Sequence, residues 1–154
     1  MSDDAAETGA PTVTAIHVAP GRRLPVRPVE QVVAEAGKGL VGDRYHGSKH
    51  RHVTVQSAED LAAAATELGR PVPPEGTRRN VTVSRGPVPT TPGERIRIGP
   101  VLLEVVRVAA PCRLLEDTLG PGAAAALRRR AGTAFRVLDG GVIRVGDVVV
   151  AEEP

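Results

Sequence analysis

Glycine and proline interrupt this chain so often that little room is left for a long helix. The 154 residues include 17 Gly and 14 Pro. Stretches such as "LPVRPVE" (24–30) and "RPVPPEGTR" (70–78) end whatever element precedes them, because proline lacks an amide donor and glycine frees the backbone. What survives between the breaks is short and aliphatic. The chain is 41% hydrophobic, chiefly Val, Leu and Ala, with one Tyr, one Phe and no Trp. A core of that composition relies on β-branched and aliphatic packing and suits a sheet or barrel. The length is that of one domain.

Periodicity fills in the elements. "TVTAIHVAP" (12–20) reads as an opening strand ended by Pro20-Gly21. Residues 21–50 show no sustained period and read as one long irregular segment, the kind of loop that is often functional. In "RHVTVQ" (51–56), Val53 and Val55 face one way and His52, Thr54 and Gln56 the other. Ser57 follows as an N-cap, with Asp60 three residues on, and the helix stops at Gly69. "RNVTVS" (79–84) alternates again, with Val81 and Val83 opposite Asn80, Thr82 and Ser84. Residues 94–110 read as two strands around Gly99-Pro100, and 111–132 as one or two helical pieces. Arg128, Arg129 and Arg130 stand at a helix C-terminus and Gly132 is the stop. Residues 134–153 close the chain as strands around two glycine turns. The expectation is a mainly β fold with one or two helices and a barrel-like sheet. No βαβ alternation points to a dinucleotide fold.

The bulk properties narrow the partners. A formal net charge of +2 with mixed signs, and almost no aromatics, disfavours nucleic acid, which wants a basic stripe and stacking platforms. No apolar run reaches membrane-spanning length. A single cysteine, Cys112, forbids an internal disulfide. Residues 1–11 are acidic and small, without the basic and apolar regions of a signal peptide. They are expected to be a disordered tail before one domain at 12–154, in a cytoplasmic setting.

Cys112 is the sharpest chemical candidate. It follows Pro111 at the start of a helical segment, where free amides and the dipole favour a thiolate. A thiolate there is a nucleophile, a persulfide carrier or a soft-metal ligand; the bland alternative is an inert buried Cys. "GLVGDRYHG" (39–47) is the second feature. Gly42 and Gly47 allow tight turns that aim Arg44 at a phosphate or carboxylate, where the plain alternative is a surface turn. "TRRN" (77–80) adds Arg78, Arg79 and Asn80, and "LPVRPVE" adds Arg27. These form one anion site only if the fold brings them together. Three of the four histidines, His46, His50 and His52, crowd into seven residues. Their spacing does not complete a usual zinc ligand set, so they read as a pocket wall or a solvated strand start.

With those residues in place, the chain resembles the MOSC domain family, named for the C-terminal domain of molybdenum-cofactor sulfurase, and above all its small stand-alone bacterial members. The resemblance rests on five stretches in family order: "GLVGDRY" at 39–45, "RHVTVQSAEDL" at 51–61, "TRRNVTVSRG" at 77–86, "GERIRIGPVLLEVVRVAAPCRLLE" at 93–116 and "GTAFRVLDGGVIRVGDVV" at 132–149. It implies a MOSC-type β-barrel over residues 12–150. It implies Cys112 as catalytic residue and as metal ligand or sulfur carrier. It also implies Arg27, Arg44, Arg79 and Asn80 as contacts for molybdenum cofactor (molybdopterin). The activity implied is molybdenum-dependent reduction of N-hydroxylated compounds with an external electron-transfer partner, or sulfur transfer from a cysteine desulfurase. A cofactor-free persulfide carrier and a non-enzymatic module for a small-molecule ligand remain alternatives. The chain departs from many small relatives in carrying Ala109-Ala110 where they have a second Cys.

Overall fold

The computed structural model describes residues 9–111 and 113–153, so Cys112 lies outside the described residues. Eleven strands and three α-helices follow in the order β1 (Val13–Val18), β2 (Arg27–Val29), β3 (Gln31–Glu35), β4 (Gly39–Leu40), β5 (Val53–Ser57), α1 (Ala58–Leu68), a 3-10 turn (Pro74–Thr77), β6 (Val81–Val83), β7 (Arg95–Ile98), β8 (Val101–Val108), α2 (Arg113–Leu119), α3 (Ala123–Ala126), β9 (Thr133–Asp139), β10 (Gly141–Arg144) and β11 (Val149–Glu152). The mainly β expectation holds, with three α-helices among the described residues where one or two were expected.

Eight strands form a mixed sheet in the order β11-β7-β8-β9-β5-β6-β1-β2, and β10-β3-β4 form a smaller one. Every pair is antiparallel except β5 and β6, which run parallel with Val55 opposite Val81. Parallel neighbours need a crossover, and α1 with the 3-10 turn supplies it. The strand ladders do not close a barrel among the described residues. The start of β1, the strand next to the β2 edge, nevertheless meets the segment that leads into β11. The Val13 amide donates to the Asp147 carbonyl (2.9 Å), the Gly146 amide to Val13 (2.8 Å) and the Val149 amide to Pro11 (2.9 Å).

The sheets enclose an aliphatic core that includes Ile16, Val53, Val55, Val81, Leu103 and Phe135. This is the face predicted by the alternation in β5 and β6. A second cluster, including Leu61, Val72, Leu115 and Leu127, packs under the helices. The layer between them is therefore buried on both sides, so Thr54, Gln56, Asn80 and Thr82 sit in the interior, as strands of a parallel pair do.

Helix α1 is set by its ends. Ser57 Oγ accepts from the Asp60 amide (3.0 Å), and Gly69, at φ 79°, donates its amide to Ala65. Arg130 Nη1 donates to the Ala126 carbonyl (3.0 Å), capping the end of α3. The largest departure from expectation is in residues 21–50, which hold β2, β3 and β4 instead of one irregular segment. Strand β3 does alternate, with Val32 and Ala34 buried and Gln31, Val33 and Glu35 exposed. An exposed Val33 beside a buried Ala34 masks that period in the letters.

Candidate functional site

The site is built on the buried polar layer. Asn80 enters it beside Thr54 because β5 and β6 run in parallel register. Its Oδ1 accepts from the Thr54 amide (3.0 Å) and hydroxyl (3.1 Å). Its Nδ2 donates to the His17 carbonyl (3.1 Å) and to Asp43 Oδ1 (3.2 Å). Two lone pairs and two N–H groups are then all in use. Asn80 thus joins β1, β5, β6 and the "GDR" turn, and its side chain is spent on holding them.

Asp43 is the other half of that junction. It is buried. Besides Asn80, its Oδ1 accepts from the Ala19 amide (2.9 Å) and its Oδ2 from the Tyr45 amide (3.2 Å). The Arg44 amide donates to the Ala19 carbonyl (2.8 Å). Gly42 at φ 91° and Gly47 at φ 92° supply the left-handed turns on either side. The aspartate therefore shapes the turn, and Arg44 and Tyr45 are what the turn presents.

They face a cavity of about 190 Å³. Four arginines line it, Arg44, Arg51, Arg78 and Arg79, together with Tyr45, Asn80, Ala110, Leu114 and Leu115. Ala110 and Leu114 bracket Cys112 in the sequence. Arg79 is buried; its Nε donates to the Ala131 carbonyl (2.8 Å) and its Nη2 to Ala110 (3.0 Å). It ties together the two chain segments that flank α2 and α3. Arg78, at φ 62°, donates from Nη1 to the Leu24 carbonyl (2.6 Å).

The guanidiniums of Arg44 and Arg51 both stack on Tyr45, with Cζ 4.5 and 4.3 Å from the ring centroid. Arg44 Nη2 also donates to the Tyr45 hydroxyl (2.6 Å). Arg51 Nε is buried with no hydrogen-bond acceptor among the described residues. Burial pulls the Arg51 guanidinium below its ordinary value; Tyr45 opposes this, while Arg44 and Arg107 add to it. The group stays charged at neutral pH even so. A concave surface with several guanidiniums, whose one lining carboxylate among the described residues is occupied by amide donors, is suited to an anion.

The structure brings Arg44, Arg79 and Asn80 together at this cavity. Arg27 is not among its lining residues; it sits exposed on β2, opposite Val18. Sequence reasoning passed over Arg51 and Tyr45. The signal was their place in the histidine cluster, Tyr45 just before His46 and Arg51 between His50 and His52, where the histidines drew the attention.

The three histidines go separate ways. His52 is buried, accepts at Nδ1 from the Val137 amide (3.0 Å) and donates from Nε2 to the Ser48 carbonyl (2.7 Å). That pairing fixes a neutral ring, and burial lowers its pKa. His46 Nε2 meets Glu35 Oε1 at 2.5 Å, and His50 is exposed. Among the described residues no group of three His, Cys, Asp or Glu is placed to hold a metal ion. Nor is any helix there long and apolar enough to cross a membrane.

Comparison with known proteins agrees with this architecture. The YuaD protein from Bacillus subtilis superposes with a TM-score of 0.79 at 20% identity, over 91% of this chain and 94% of that one. YiiM from Geobacillus stearothermophilus gives 0.74 at 23% identity, over 93% and 75%. YiiM from Escherichia coli gives 0.69 at 16% identity, over 93% and 70%. At such identities the likeness speaks for the fold. No curated protein matches the chain. The family model described as MOSC domain matches residues 42–150, which begin at the Gly42-Asp43-Arg44 turn and include the cavity arginines and Cys112. On that match the chain belongs to the MOSC domain family.

Proposed function

We propose that the protein binds molybdenum cofactor, or handles its sulfur, at the arginine-lined cavity, with Cys112 as the ligand or sulfur carrier. The observation that carries this reading is the convergence of Arg44, Arg51, Arg78 and Arg79 on a hollow whose walls include Ala110 and Leu114. The residues present fit the group in donor chemistry. A pyranopterin has a phosphate and many hydrogen-bonding edges, and guanidiniums in a concave site answer both. Arg44, Arg51 and Arg78 would hold the anionic end. Arg79, through the Ala110 carbonyl, would set the backbone leading to Cys112. The cofactor, when bound, supplies a soft metal for which a thiolate is the natural protein ligand. Reduction of N-hydroxylated compounds would follow with an external electron donor. A MOSC-type barrel belongs to the same proposal: the seam between Pro11–Val13 and Gly146–Val149 would complete the ring.

One observation favours a second reading. The cavity holds about 190 Å³, below the roughly 300 Å³ at which pockets begin to enclose drug-sized ligands. It would enclose an anionic end and leave the rest of a pterin outside. A smaller acceptor suits persulfide transfer, in which a cysteine desulfurase loads Cys112. Intact mass after incubation with a desulfurase and cysteine distinguishes the two. Gain of one sulfur atom, absent in Cys112→Ser, supports the carrier. An unmodified chain that carries molybdenum and pterin supports the cofactor protein. Neither adduct nor metal would sink both and leave a binding module.

A further inference from the structure

We propose that the hollow between the start of α1 and the turn after α3 binds a free α-amino acid with an aliphatic side chain, its ammonium on Asp60 and its carboxylate on Arg129. This site is separate from the arginine-lined cavity and does not depend on molybdenum. Two adjoining depressions, of about 480 and 670 Å³, share Asp60 and Arg129 as lining residues. The first continues over Pro87, Val88 and Val108, and the second over Glu67, Arg128 and Arg130. The two opposite charges between them do not pair with each other. Among the described residues the Arg129 guanidinium has no ion pair or hydrogen-bond acceptor, and Asp60 has no ion pair.

Asp60 lies in the first turn of α1 and is half-buried. Burial above all raises its carboxyl from the ordinary value; the Ser57 side chain and Arg130 pull the other way, and Glu59 adds to the rise. Arg130 is itself engaged by Glu67 Oε1 (3.2 Å) and by the Ala126 carbonyl (3.0 Å). The carboxylate therefore lacks a direct cation among the described residues, and its partial burial makes a cation worth more to it. Arg129 is exposed and sits at φ 63°, in the turn after α3. Glycine takes that left-handed conformation freely and arginine does so under strain, so the turn by itself does not call for this side chain. A guanidinium there is a two-pronged donor for a carboxylate.

The ligand class follows from what the wall accepts. A simple anion would satisfy Arg129 and be repelled by Asp60, and a simple amine the reverse. A molecule that carries ammonium and carboxylate on one carbon bridges two opposite charges that stand too far apart to pair directly. Val108, 45% exposed at the end of β8, and the partly buried Val88 offer apolar area to its side chain.

Calorimetric titration of the full chain with L-leucine tests this, beside its two half-molecules: 4-methylpentanoate, which lacks the ammonium, and 3-methylbutylamine, which lacks the carboxylate. Each half-molecule is expected to bind about tenfold more weakly or worse, the scale of one lost charge-assisted contact. Asp60→Asn and Arg129→Gln should each weaken L-leucine by about tenfold, and selectively. Asp60→Asn should bind 4-methylpentanoate no more weakly than wild type does, and Arg129→Gln should do the same for 3-methylbutylamine. Glycine should bind about tenfold more weakly than L-leucine, for want of a side chain to bury. Arg129→Gly should lose the preference for L-leucine over 3-methylbutylamine with an unchanged or raised unfolding midpoint, since the turn is then free of strain. The neighbouring exposed Arg128→Gln should match wild type. Should Asp60→Asn fail to fold, the half-molecules on wild type and on Arg129→Gln still read the same pairing. No binding of L-leucine by the wild type, half-molecules that bind as tightly as L-leucine, or wild-type affinity in Arg129→Gln or in a folded Asp60→Asn would each overturn the proposal. Loss of L-leucine binding in Arg44→Gln would place the ligand in the arginine-lined cavity and overturn it too. Molybdenum loading reads on that cavity alone, so the two accounts fail separately.

Discussion

At the scale of single residues, the site separates those that hold from those that present. Asn80 holds. Its carboxamide makes four hydrogen bonds in the buried layer. Asn80→Ala strands the Thr54 amide, the His17 carbonyl and part of Asp43. Unsatisfied buried groups cost about 1–3 kcal/mol each, so a loss of at least ~3 kcal/mol in urea unfolding is expected. Wild-type stability in that variant would remove Asn80 from the framework. His52 holds as well, and it gives a pH prediction. Its folded pKa lies below the ordinary value of 6.5, first because of burial; that of His17 is also lowered by burial. The unfolded chain then takes up protons that the folded chain refuses. Their contribution is present above about pH 6.5 and lost as pH falls towards the depressed folded values. Urea midpoints should therefore drop from pH 7.5 to pH 5.5, and the His52 ring resonance should titrate below the ordinary value. A ring that titrates at the ordinary value would contradict the assigned hydrogen bonds.

At the scale of elements, Gly132 links the sheet to the site. It sits at φ 91°, and a Cβ there would collide with the Val55 carbonyl oxygen. Its neighbour Ala131 accepts from Arg79, and its own carbonyl accepts from the Ala109 amide. Gly132→Ala should cost at least ~2 kcal/mol, as strained glycine positions and steric overlap do. It should also weaken ligand binding by moving Arg79 and Ala110. Ser57→Ala is a milder test of the same region: loss of the N-cap should cost about 1 kcal/mol and leave ligand affinity alone. Strands β5 and β6 and helix α1 were legible because each carries an uninterrupted period and a matching cap. Strand β3 was not, because Val33 points outward and Ala34 inward, against their hydrophobicity. The parallel pairing of β5 with β6 was also hidden, since local alternation reports a strand's faces and not its neighbour. In the site, Arg44, Arg79 and Asn80 stood out through the turn and strand that carry them. Arg51 and Tyr45 did not, because the stacking of two guanidiniums on one ring depends on how the 43–52 segment folds back. Arg27 sat in an equally suggestive stretch, yet β2 leaves it exposed at the sheet edge.

At the scale of the whole molecule, a formal charge of only +2 conceals a local concentration. Four arginines share one small cavity, so attraction of an anion there is a near-field effect and not a property of the protein's overall charge. Added salt should weaken ligand binding, though less than at an exposed site, because part of the cluster is buried. The large sheet, its helical cover and the 39–47 turn make a rigid frame around that hollow, and Cys112 falls in the sequence between two of its lining residues. The most direct test of this account is bound molybdenum per chain after expression in a host that makes the cofactor, with wild type beside Cys112→Ser. The account predicts near-stoichiometric molybdenum in the wild type that disappears in the variant. No molybdenum in either protein, or equal molybdenum in both, would contradict it.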